Sequence, residues 1–60
     1  MIRGFIFEMK ISGGNWVEVS DDTFMTQLYQ YHRRLTPYVR EMLEGAVLLR
    51  GNQSFRISPC

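Results

Sequence analysis

The sequence predicts a small α+β fold: an antiparallel sheet of two β-hairpins, in the order β-β-α-α-β-β, packed against one main helix and one shorter helix. Three observations predict it. Apolar and polar residues alternate near the start of the chain, apolar residues recur at helical spacing from Phe24 to Leu35, and turn-forming pairs (Gly13-Gly14, Gly51-Asn52) interrupt the outer apolar stretches. No linker, repeat or low-complexity tract divides residues 1–60, so they read as a single domain.

The first hairpin begins in Arg3-Gly4-Phe5-Ile6-Phe7-Glu8-Met9-Lys10-Ile11. Phe5, Phe7, Met9 and Ile11 share one face while Glu8 and Lys10 take the other, the period of two of a half-buried strand. Ser12-Gly13-Gly14-Asn15 tolerates the positive φ of a tight turn, and Trp16-Val17-Glu18-Val19 returns. Ser20 or Asp21 then caps a helix, with Asp21 and Asp22 at the positive end of its dipole. Phe24, Leu28, Tyr31 and Leu35 form its stripe, flanked by Met25, Tyr29 and His32. Arg33 and Arg34 suit its C-terminus, and Pro37 disfavours helical geometry at Thr36.

Pro37 opens a second helix through Glu44, with Thr36 as its cap, Val39, Met42 and Leu43 inward and Gly45 as its stop. Ala46–Arg50, the Gly51-Asn52 turn and Gln53–Ser58 read as the second hairpin. A short apolar run also fits an extension of the helix through Arg50, and the turn pair favours the hairpin.

Composition narrows the function. A chain of 60 residues buries only about 60% of its unfolded surface, so packing gains barely exceed conformational entropy. One cysteine, Cys60, allows no internal disulfide, and with His32 it falls short of a structural zinc set. Self-association or a partner is the remaining support. The low cysteine content points to the cytoplasm, and Glu8 and Lys10 break the apolar start before it becomes a signal or membrane segment. A net charge of +1 argues against gripping nucleic acid by bulk electrostatics. The charges are nevertheless uneven. Four acids face two bases in residues 1–22, and five Arg face two Glu beyond them.

No catalytic, cofactor or metal site is expected. His32 has no nucleophile or orienting carboxylate in a recognisable motif, so it reads as a structural side chain. Asp21-Asp22 reads as helix capping, and Glu41 with Glu44 as a wet helix face. Gly13-Gly14 joins two strands, where a phosphate loop would open a helix. An enzyme is therefore not expected, since a chain this short leaves little room for a water-excluding pocket.

The informative surface is Gln27–Arg34 with Tyr38 and Arg40. Inward Phe24, Leu28, Tyr31 and Leu35 would turn Gln27, Gln30, Arg33 and Arg34 outward, with Tyr29 and His32 at one margin. Arg and Gln can read DNA, whereas Tyr and Arg are frequent anchors of protein contacts. Protein contact is preferred, because the second helix carries Arg40, Glu41 and Glu44 where a DNA-reading helix would be basic. Partner contacts are thus expected at Tyr29, His32, Arg33, Arg34, Tyr38 and Arg40. Trp16 is a further candidate, either lid or anchor. The two sheet edges offer a route to a homodimer by strand pairing.

In size and style alone, the chain resembles accessory proteins of phages and prophages, many of which bind and inhibit or redirect a host or defence protein. No motif carries that resemblance, and no residues are transferred from it. The expectation is a protein-binding inhibitor or adaptor, with a nucleic-acid-binding regulator as the alternative and no membrane association.

Overall fold

Residues 4–60 are described by a computed structural model. Strands β1 (Phe5–Ile11), β2 (Val17–Val19), β3 (Leu48–Arg50) and β4 (Gln53–Pro59) form one antiparallel sheet in the order β2-β1-β4-β3. Helices α1 (Asp21–Tyr29) and α2 (Thr36–Leu43) lie between the hairpins in sequence. The expected α+β arrangement is therefore present. Met1 and Ile2, part of the apolar start, and Arg3, placed at the head of the first strand, lie outside the described residues.

The turns explain the hairpins. In the first, the Gly14 N–H donates to the Ile11 carbonyl at 2.7 Å and Gly13 takes φ 80°, as the third residue of a type II turn must. Gly51 takes φ 56° in the second, and a Cβ there would sit 3.3 Å from the Tyr31 hydroxyl. Glycine satisfies both demands. Residues 46–50 are not helical. The strand Leu48–Arg50 pairs with β4, and α2 ends before it in a Schellman motif: Gly45, at φ 104°, donates to the Met42 carbonyl, and Ala46 donates to that of Glu41.

The core lies between one sheet face and the two helices. Phe24, Leu28, Met42 and Phe55 are fully buried, with Leu48 and Ile57 beside them. Phe24 is the hub, meeting Phe7 and Phe55 edge-on at centroid separations of 5.2 and 5.5 Å. Phe7, Met9 and Val19 complete the packing from the first hairpin. Phe5 and Ile11, expected to share this burial, lie at the strand ends and stay largely exposed.

Three further expectations are corrected. α1 stops at Tyr29, short of Leu35, because the next residues are drawn to the second hairpin. The Tyr31 hydroxyl donates to Gln53 Oε1 at 2.6 Å with its ring edge-on to Phe55, and His32 accepts from Arg50. Thr36 is the first residue of α2, and Leu35 precedes it with no side-chain cap. Met42 is buried and Val39 is half-buried, but Leu43 is 48% exposed. At the start of α1, Ser20 is the cap, its Oγ accepting from the Thr23 N–H at 3.1 Å.

Candidate functional site

The expected contact residues fall on three different surfaces. His32 and Tyr38 turn toward each other and stack, ring centroids 3.8 Å apart and planes 23° from parallel. Arg50 completes the group. Its Nε donates to His32 Nε2 at 2.8 Å, and its guanidinium carbon lies 5.5 Å from the Tyr38 ring centre. An accepting Nε2 requires a neutral imidazole with its proton on Nδ1. These two residues thus join the segment between the helices to β3, and both are half-buried.

Trp16 lies on the sheet face opposite the helices. Alternation puts Glu8 and Lys10 of β1 and Arg56 of β4 on that face, and the two cations lie close to the indole. Arg56 Cζ is 4.1 Å and Lys10 Nζ 5.2 Å from its ring. Arg56 Nε also donates to Glu8 Oε1 at 2.7 Å. Trp16 is consequently a half-buried cover over paired charges, separated from the other candidates by the sheet.

Tyr29 and Arg40 do come together, at a groove between the helices. Two ridges of residues spaced four apart make its walls: Met25 and Tyr29 on α1, and Leu35, Val39 and Leu43 along α2. Its volume is about 430 Å³. Met25, Leu35 and Val39 form a half-buried floor, while Tyr29, 60% exposed, and Leu43 stand at the rim. Arg40 also lines a neighbouring depression with Arg34, Thr36 and Pro37. Arg33, Arg34 and Arg40 are exposed, and among the described residues none pairs with an acid.

Neither a family model, a curated protein nor a solved structure matches the chain. Its chemistry must be read from these surfaces alone. Leu35 and Val39 pack against the core, as expected, and also line the groove; their spacing of four continues to exposed Leu43, offset from buried Met42, and that row is the sequence signal of an apolar strip reaching beyond the core. Arg50, Gln53 and Arg56 were missed. Their roles depend on partners far away in sequence. Gln53 links Tyr31 to Gln27, whose Oε1 also accepts from Gln30 at 3.1 Å, so Gln27 is half-buried where an outward position was expected.

Among the described residues, no three His, Cys, Asp or Glu side chains converge as a metal set would. No described helix is long and apolar enough to cross a membrane.

Proposed function

We propose that the chain is a protein-binding module, an inhibitor or adaptor, whose contact face is the groove between α1 and α2. The observation that carries this reading is an apolar cleft open to solvent, rimmed by Tyr29 and Leu43 and bordered by arginines that have no acidic partner among the described residues. Its chemistry suits an amphipathic segment. Apolar side chains would fill the floor made by Met25, Leu35 and Val39, and acidic ones would meet Arg40 and Arg34. The groove is apolar at its centre and charged at its margin, the usual layout of a protein contact. The low cysteine content supports a cytoplasmic setting.

A nucleic-acid partner is the second reading, favoured by the depression that Arg34 and Arg40 share. Two measurements separate the readings. An amphipathic helical peptide of Leu and Glu should bind, lose affinity modestly with salt, and fail against Leu43→Asp. A duplex or single-stranded oligonucleotide should bind weakly. Oligonucleotide binding that falls steeply with salt and is indifferent to Leu43→Asp would replace the first reading with the second.

A further inference from the structure

The two edges of the sheet are not equivalent. Across the central pair, Cys60 donates to the Gly4 carbonyl at 3.2 Å and Ser12 to that of Asn52 at 2.7 Å, so the even residues of β1 aim their backbone at β4. Alternation turns its odd residues toward β2. Phe7 with Val19 and Met9 with Val17 are therefore the hydrogen-bonded pairs, and the N–H and C=O of Glu18 point out of the sheet. By the same alternation Leu49 points outward from β3. There Arg50 intervenes, its Nη1 donating to the Leu49 carbonyl at 2.7 Å. A cation folded over an edge strand blocks a further strand. Among the described residues, no side chain does this for Glu18.

What lies beside β2 defines an occupant. On the helix side, Met9, Ile11, Val17 and Val19 line a groove of about 490 Å³, with Val17 59% exposed. On the other side Glu18 stands directly across from Glu8. Arg56 satisfies Glu8, whereas Glu18 has no cation partner among the described residues. Like charges facing each other across strands are unfavourable until neutralised.

We propose that β2 accepts an extended peptide segment with a basic residue flanked by apolar residues, added as a further strand. Its central residue exchanges two backbone hydrogen bonds with Glu18 and sets its Lys or Arg beside the Glu18 carboxylate, while its neighbours enter the groove beside Val17 and Val19. A second copy of β2 lacks this complementarity. Two-fold pairing centred on Glu18 would bring that carboxylate against its own copy. This surface is distinct from the groove between the helices, so either can fail without the other.

The test uses the whole chain and two short peptides, alternating Val with Lys and alternating Val with Glu. The Val-Lys peptide should bind about tenfold more tightly, slow hydrogen exchange at the Glu18 amide, and leave binding unchanged in Leu43→Asp. In Glu18→Lys the preference should reverse. Were that variant to unfold, the discrimination by the unaltered chain and the site of amide protection would still decide. Equal binding of the two peptides, absence of binding, protection at Leu49 in place of Glu18, or a peptide-free dimer that protects Glu18 would each overturn the proposal.

Discussion

Arg50 reaches from the second hairpin to His32, in the segment after α1, and holds it by a 2.8 Å hydrogen bond from Nε to Nε2, while Tyr38 stacks on the same imidazole. A second arm of the same guanidinium closes the Leu49 carbonyl. One side chain therefore fixes a loop and guards a sheet edge. Single variants His32→Ala and Arg50→Ala should each destabilise the fold, and the double variant should cost less than their sum, with a coupling of about 1 kcal/mol. Denaturant unfolding of the four proteins measures it. Strict additivity would mean the contact contributes nothing.

The neighbouring arginines should behave differently. Arg33 and Arg34 are exposed and, among the described residues, unpaired with any acid. Replacing both by Ala should leave the unfolding free energy within about 0.5 kcal/mol of the parent, as is usual for open surface. Binding of the Leu-Glu peptide should weaken. A large loss of stability would show that these side chains are structural.

Phe24 should be indispensable. It is fully buried and makes edge-on contacts to both Phe7 and Phe55, so Phe24→Ala removes the hub of the core. The expected cost is about 3–5 kcal/mol, comparable with the whole stability of a domain near the lower end of the usual range. Near-ultraviolet circular dichroism should lose its fine structure. A cooperative thermal transition close to that of the parent would contradict this.

How much of this was legible depends on the range of the interactions. The hairpins, the Ser20 cap and the Gly45 stop are local, written in alternation and in residues that tolerate one backbone geometry. The end of α1 is not. It is set by Tyr31 with Gln53 and His32 with Arg50, pairs that meet only after the second hairpin has folded back. The same limit applies to the groove: residue type singles out Tyr29 and Arg40, which line it, whereas separating exposed Leu43 from buried Met42 requires knowing which face of α2 the sheet covers.

Two glycines should differ in what they tolerate. Gly13 and Gly51 both have positive φ, but a Cβ on Gly13 meets open space and one on Gly51 meets Tyr31. Gly13→Ala should cost about 1–2 kcal/mol through φ alone. Gly51→Ala should cost more and also disturb the Tyr31–Gln53 bond. Matched thermal melts rank the two, and equal losses would show that the Tyr31 ring yields freely.

The sole tryptophan makes the charged sheet face observable. Arg56 lies over Trp16 and ties down Glu8, so Arg56→Ala should open the indole to water. Its emission should shift to longer wavelength with little change in far-ultraviolet signal. An unmoved spectrum would show that Lys10 and the turn suffice to cover the ring.

The seam between β1 and β4 joins the opening of the described chain to its close, Phe5 opposite Pro59, while each outer hairpin closes locally. Read outward from the Tyr31–Leu35 connection, the molecule is two hairpin-and-helix halves zipped along their longest strands. Closing that seam brings together residues far apart in sequence, a kind of contact that lowers folding rates relative to chains built from local contacts. A backbone cut in that middle connection would spare every ladder bond, leaving two fragments able to recombine into a single particle.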